Sequence, residues 1–563
     1  MSKKLILSII IAVILIVAII VMTLKKNVDL LLINSTAYTL DKDNSKVEAI
    51  AIKDGKIFDL GSSSEIMANY KSKEIIDLSG CFTYPGFTDG HAHILGEGGR
   101  LQTLDLVGTT SVDQILEMVK KKVSGVKNGD WIIGRGWDQN NWPRKEFPTA
   151  KQLDEVAPSN PVLLRRIDGH AAWVNSLAMK IASIDNKTED PVGGKIIHDS
   201  EGKPTGVFID NAIDLIGKAV PSLTNDEIKE RLKLALNECA KYGLTEVHDM
   251  GVDRDIINQY KNLIDAKECP IRIYAAIDYG GPTLNDYFQR GPEIGYGNGL
   301  LTIRAIKLYM DGALGSRGAA LIDAYNDDPN NRGLTMMSDS EMDSVCREAL
   351  VKNFQVCTHA IGDRANNLTL NAYERILKTL PEGAESPRWR IEHAQILMPS
   401  DIGRFKKNGI LPSMQPTHAT SDMDWVESRI GAERAKGAYA WRSILETGSI
   451  IIGGSDFPVE FVNPLLGFYA AITRQDVYGL PSGGWYPEQV MNRDEALNAF
   501  TKWPAYGAFQ EKEKGTVEIG KWADLTILSK DIMQIPPEEI LNTEVVMTIV
   551  GGKIVYRKED WKR

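Results

Sequence analysis

Thr83-Tyr-Pro-Gly-Phe-Thr-Asp-Gly-His-Ala-His93 is the stretch on which the reading of this chain turns. It continues an apolar, strand-like run that starts near Cys81, and it ends in two histidines separated by one residue. On a strand, residues i and i+2 point to the same side. His91 and His93 can therefore hold one ion between them, and imidazole nitrogen suits zinc, iron or nickel. A His-x-His pair facing solvent is the plain alternative, so the weight of the motif depends on its surroundings.

Outward from it, between about residues 85 and 505, short apolar runs alternate with helix-like stretches. That rhythm predicts βαβ units. Candidate strands cover 81–93, 244–248, 271–277, 301–309, 354–359, 389–393, 410–415 and 449–456. Eight strands with intervening helices predict an α/β fold, a TIM (β/α)8 barrel, whose active site lies at the C-terminal ends of the strands. The chain has only 8 histidines. Six of them, His91, His93, His248, His359, His393 and His418, fall at or just beyond such ends, and Asp456 ends another strand. The positions two before His359, His393 and Asp456 are Cys357, Ile391 and Gly454, so each strand is expected to offer one polar group to one end of the axis.

Lys307 is the other unusual residue. Alternation along 301–309 places Ile303, Ala305, Lys307 and Tyr309 on one face. If that face is the barrel interior, burial disfavours the ammonium and lowers its pKa. A neutral amine can take up carbon dioxide to form a carbamate, an anionic oxygen ligand able to bridge two cations. A lysine paired with an acid such as Asp311 is the other reading.

Both chain ends read as β-structure. Asp54-Gly55 between two apolar runs is a hairpin signal, and Gly551-Gly552 sits between 545–550 and 553–556 in the same way. Residues 27–84 and 508–563 are expected to form one composite β-module, with a barrel over 85–507. The segment at about 96–242 is too long for one crossover and reads as an insertion. It carries Asp168 and His170, which either close over the barrel mouth as a lid or stabilise a turn. It also carries Trp131, Trp137, Trp142 and Trp173, which line a pocket or, as is commoner for Trp, fill a core. His248 and Arg317 are further candidates for substrate contact, Arg317 as an anion clamp or as a surface salt bridge. His418 is placed to hydrogen-bond a carbonyl oxygen.

Composition narrows the class. The chain has 563 residues, 43% hydrophobic and 25% charged, with net charge −10. That excludes a disordered, collagen-like or disulfide-scaffold protein, and the acidic balance argues against nucleic acid. The 5 cysteines are scattered and read as small buried apolar residues. Residues 5–24 contain only Ser8 and Thr23 as polar members. At about 1.5 Å per residue such a run spans a hydrocarbon core of about 30 Å. Flanked by Lys3, Lys4, Lys25 and Lys26, and lacking a small-residue cleavage site, it predicts an uncleaved transmembrane anchor over 1–26. The expected location is the cell membrane, single-pass, with the catalytic domain extracytoplasmic.

The order His-x-His, Lys, His, His, Asp along one barrel resembles the amidohydrolase superfamily over about residues 28–558. Several stretches are similar to its long-insert branch, which includes N-substituted formamide deformylases: Pro85 to His93, Asp168-Gly-His-Ala-Ala-Trp-Val-Asn175, Ile306-Lys-Leu-Tyr-Met-Asp-Gly-Ala-Leu-Gly-Ser-Arg317, His359-Ala-Ile-Gly-Asp363, Ile391-Glu-His-Ala-Gln395 and Gly453-Gly-Ser-Asp-Phe-Pro458. The resemblance implies two divalent metal ions, zinc being the expected one. His91 and His93 would bind the more buried ion with Asp456 beside it. His359 and His393 would bind the second, and a carbon dioxide-derived carbamate on Lys307 would bridge them. The implied reaction is hydrolysis of a non-peptide C–N bond (amide, formamide or carbamate-like) by a metal-activated hydroxide. Asp456 would take the proton and pass it to the leaving nitrogen. The expected partners are a small-molecule substrate and the membrane, with homo-oligomer formation left open. A mononuclear deaminase or cyclic-amide hydrolase on the same barrel, and a non-catalytic anchored binding protein, are the alternatives.

Overall fold

Eight parallel strands carry the middle of the chain in this computed structural model, which describes residues 25–166, 169, 171–191, 194–559 and 561. They are β1 (Phe87–Ala92), β2 (Leu244–Val252), β3 (Arg272–Asp278), β4 (Leu301–Tyr309), β5 (Gln355–Ala360), β6 (Arg390–His393), β7 (Leu411–Met414) and β8 (Ile452–Gly453). Each is hydrogen-bonded to the next in that order. Between β8 and β1 the nearly closed barrel is joined by other contacts. Asp456 N donates to His91 O at 2.7 Å. The buried Asp89 carboxylate accepts from Ser455 Oγ at 2.6 Å and from Ser455 N at 3.1 Å. Glycine permits this approach. A Cβ on Gly90 would lie 2.3 Å from Ile452 Cγ2, and one on Gly454 would lie 2.6 Å from His91 N.

The expected strands are present in the expected order, with three changes of boundary that matter for the site. The stretch 81–93 is two strands, not one. Phe82–Pro85 pairs with Leu525–Leu528 outside the barrel, and β1 begins after Gly86. The second strand runs on to Val252, which places His248 at mid-strand instead of at an end. The last strand shortens to Ile452–Gly453, because Asp456 turns away with φ 63°.

Two larger sheets and a two-stranded one, Lys26–Asn27 with Tyr70–Lys71, belong to the same compact unit, which comprises residues up to Ile94 and from Leu232 onward. One has four strands, in the order Lys56–Gly61, Ala49–Lys53, Leu30–Ile33, Glu74–Asp77. The other has six and draws on both chain ends, with Phe82–Pro85 between Leu525–Leu528 and Thr36–Tyr38. Asp54 and Gly55 both have positive φ (52° and 76°), which is the two-residue turn that joins Ala49–Lys53 to Lys56–Gly61. The sheets share a core in which Leu32, Ile50 and Ile52 pack with Leu525, Ile527 and Met547. Each such side chain contributes about 1.5–3 kcal/mol by burial. Asp524 ties this module to the barrel floor, accepting from Arg272 Nε of β3 at 2.6 Å and from Gly551 N at 2.7 Å.

The other unit, Leu95–Arg231, is built on a six-stranded mixed sheet with its own core. Trp137, Trp142 and Trp173 form that core with Leu106, Ile132 and Val162, while Trp131 packs against a second cluster around Phe208 and Ile213. These tryptophans are packing residues of their own unit. All five cysteines are buried. The apolar run 5–24, Asp168 and His170 lie outside the described residues. Among the described residues no helix is long and apolar enough to cross a membrane.

Candidate active site

The C-terminal ends of β1, β4, β5, β6 and β8 bring six of the singled-out side chains together, and His418, at the start of the helix after β7, joins them. His91 is fully buried, and its ring centroid lies 4.8 Å from that of His393. His393 in turn lies 4.6 Å from His359 and 5.9 Å from His418. Asp456 sits among them, with Oδ1 3.2 Å from His93 Nε2 and 3.5 Å from His91 Nε2, and Oδ2 3.7 Å from His418 Nε2.

Three of the rings are held from behind by Nδ1. His91 Nδ1 donates to Glu392 Oε2 at 2.5 Å, His93 Nδ1 to Met250 O at 2.8 Å and His393 Nδ1 to Gln415 Oε1 at 2.9 Å. A proton fixed on Nδ1 leaves the Nε2 lone pair free to ligate, and the partner sets the ring's orientation. Burial pushes His91 and His393 well below the usual imidazole range, and burial brings His359 down to about 3. Burial thus holds His91, His359 and His393 in the neutral form that binds metal.

The fit to a cation can be tested on the polar atoms left over. One ligand atom each from His91, His393 and Asp456 lies within 4.8 Å of the others. His359 Nε2, His418 Nε2 and Asp456 Oδ1 are buried without a hydrogen bond. Buried polar atoms are nearly always paired. Three unpaired ones facing a common space, with the lone pairs of neutral imidazoles, are what divalent cations would satisfy. The tight trio takes one histidine from each of the two ligand groups implied by the resemblance, so Asp456 lies between those groups.

Backbone strain sits at the same residues. His393 has φ 71° and Asp456 φ 63°, a region costly for residues with a Cβ and common at functional sites. For His393 the consequence is specific. The expectation that Ile391 faces inward is wrong. Arg390 and Glu392 face the barrel interior, where Arg390 donates to His248 Nδ1 at 2.9 Å and Glu392 holds His91. Simple alternation would send His393 outward with Ile391, and the left-handed turn brings its ring back to the site.

Lys307 faces inward as alternation predicts. It is 1% exposed, with Nζ 3.2 Å from His91 Nε2. The pairing with Asp311 is not formed. Asp311 instead accepts from the backbone N–H groups of Ala320, Ile361 and Gly362 at 2.8–2.9 Å, which fixes the loop after His359. Among the described residues Lys307 forms no ion pair, and burial lowers its pKa. A buried amine without a counter-ion, next to an imidazole lone pair, is poorly explained as a structural ammonium.

Two expected substrate contacts lie elsewhere. His248 is fully buried at mid-β2, under the site, against Arg390, Tyr274 and Glu246. It belongs to the support of the site, because β2 continues four residues beyond it. Arg317 is held by Asp327, with bonds of 3.0 and 3.1 Å, and Arg429 meets the same carboxylate. It is a salt bridge and not an open anion clamp. Glu392 and Arg390 are the residues that sequence reasoning missed. A signal was there: opposite charges at i and i+2 in the short strand Arg390-Ile-Glu-His393 put an ion pair on one strand face.

The site opens into a cavity of about 420 Å³, the size of a small-molecule pocket. Its floor has Lys307, His93, His359, His393 and Asp456, and its walls include Leu314, Ile361, Trp425 and Val459.

Residues 74–556 match the Amidohydrolase family. The chain is 34% identical over 530 residues to YtcJ of Bacillus subtilis (strain 168), covering 92% of this chain and 98% of that one. It is 27% identical over 551 residues to the N-substituted formamide deformylase of Arthrobacter pascens, covering 94% and 98%. Among solved structures, an uncharacterized metal-dependent hydrolase from Pyrococcus furiosus superposes with a TM-score of 0.74 at 29% identity, covering 90% of this chain and all of that one.

Proposed function

The chain belongs to the amidohydrolase family, and from that premise we propose that it cleaves an amide, formamide or carbamate-like C–N bond at a binuclear site bridged by carboxylated Lys307. It is a hydrolase of carbon–nitrogen bonds other than peptide bonds. The observation that carries the proposal is the convergence of His91, His393 and Asp456 ligand atoms, with the unpaired nitrogens of His359 and His418, around a buried amine that forms no ion pair among the described residues. His91, His93, His359, His393, Asp456 and Lys307 would hold the ions, zinc being the expected metal. When bound, divalent ions polarise a carbonyl and lower the pKa of a water from 15.7 to about 7. Around them the chain's own groups divide the work. Asp456 takes the proton of the attacking water and delivers it to the departing nitrogen. His418 hydrogen-bonds the carbonyl oxygen. The apolar walls exclude bulk water.

An N-substituted formamide is the favoured substrate class, supported by the relative of that name. Elemental analysis of the purified chain should find close to two divalent ions, and formate should be released from a panel of N-substituted formamides. One ion per chain would favour the mononuclear reading. Full metal loading without turnover of any amide, ester or carbamate would favour a binding protein.

The run 5–24 supports attachment of this hydrolase to the cell membrane, with the catalytic domain extracytoplasmic. The chain should then stay with membranes through alkaline carbonate washing and be cleaved by protease added to intact cells. Release by the wash, or full protection, would overturn the respective half of that reading.

A further inference from the structure

We propose that the substrate carries a cationic group on its apolar body, an ammonium or amidinium, and that Asp422 and Glu460 receive it at the wall of the cavity. The inference rests on the hydrolytic reading above and specifies its substrate.

The charges lining the cavity are unbalanced. Beyond the ligand groups of the floor, two carboxylates line it, Asp422 and Glu460. Asp456 and Lys307 are committed to the floor. Among the described residues no arginine lines the cavity, and Arg317, the nearest candidate for an anion clamp by sequence, is spent on Asp327. A carboxylate-bearing substrate would thus meet acid at the wall with no cationic side chain to receive it.

Asp422 and Glu460 are also incompletely used. Asp422 Oδ2 accepts from Tyr439 Oη and from Gln395 Nε2. Glu460 Oε1 accepts from Ser421 Oγ at 2.6 Å. Among the described residues neither acid forms an ion pair, and no hydrogen bond falls on Asp422 Oδ1 or Glu460 Oε2. These bonds orient the two carboxylates and leave one oxygen on each uncommitted. Trp425 stands on the same helix, Pro416–Ala435, and lines the cavity too. An indole face attracts a cation.

The test uses the full-length, zinc-loaded chain and three N-benzylformamides that differ only in the para group: aminomethyl, hydroxymethyl or carboxylate. The aminomethyl compound should exceed the hydroxymethyl one in kcat/KM by about 10- to 100-fold, the worth of one or two charged hydrogen bonds, and the carboxylate should be slowest. Asp422→Asn and Glu460→Gln should each reduce that ratio, and Glu460→Lys should move it toward the carboxylate. The ratio is internal to each preparation, so partial misfolding cannot produce it. Equal or reversed preference in the wild type would overturn the proposal. If none of the three is hydrolysed, the hydrolytic reading fails for formamides, and calorimetric binding of 4-methylbenzylammonium against 4-methylbenzyl alcohol decides the cationic one. Tighter ammonium binding that weakens in Asp422→Asn supports it, and equal affinities reject it.

Discussion

Asp456→Asn is expected to lower kcat by about 10²- to 10⁴-fold, the usual worth of a positioned proton carrier, while the protein keeps most of its metal. The carboxylate has two differently placed oxygens. Oδ1 lies among the ligand nitrogens, 3.2 Å from His93 Nε2, and Oδ2 lies toward His418, 3.7 Å away. Asparagine retains one oxygen for the ion and the same planar shape. It also tolerates the left-handed backbone at φ 63° better than alanine would. What it loses is the ability to accept a proton from water and return it to nitrogen. The effect should therefore fall on kcat measured at saturating metal, with KM changed far less. Retained turnover would remove Asp456 as proton carrier. Loss of metal together with activity would make it an essential ligand instead, and the two outcomes are separated by elemental analysis of the same sample.

The barrel was legible because a parallel strand buried on both faces is a continuous apolar run, and the functional residues interrupt those runs at their ends. His91, Lys307 and His359 could be placed by counting along a strand. Three things could not. Strand length is fixed by partners in the sheet, and β2 extends to Val252 because β3 lies beside it through Ile277, which moved His248 from the mouth to the interior. Alternation assumes an unbroken strand, and the positive φ of His393 exchanged the faces of Ile391 and Glu392. Long-range charge pairing has no sequence signature, so Arg317 with Asp327 and Asp311 with three backbone amides emerged only in three dimensions. Asp422 and Glu460 were hidden for a related reason. One sits on the helix after β7 and the other in the loop after β8, and nothing local marks either as facing a common cavity.

The second large effect concerns Lys307, and it has opposite signs in the metal-free and metal-loaded protein. As an amine, Lys307 is a buried base 1% exposed, with an imidazole beside it and, among the described residues, no ion pair. Taking such a group out of water is costly whichever protonation state it holds. Lys307→Met keeps the length and the packing and removes the polar end, so the metal-free variant should melt at a higher temperature than the metal-free wild type. The loaded protein should show the reverse. If Lys307 carries the proposed carbamate, the variant would lack an anionic ligand that the ions need. Metal content should fall below one ion per chain at concentrations that saturate the wild type. That corresponds to an affinity loss beyond the 10- to 100-fold typical of an outer-shell partner, with turnover falling in step. A carbamate also requires carbon dioxide. Wild-type protein stripped of metal and reloaded in carbon dioxide-free buffer should regain activity slowly, and bicarbonate should accelerate the recovery. In Lys307→Ala the side-chain space is empty, and a short carboxylate such as propionate should restore part of the metal binding by supplying the two oxygens directly. A Lys307→Met variant that binds two ions and turns over normally would show that the lysine is a structural residue, and the binuclear bridge would have to be sought elsewhere.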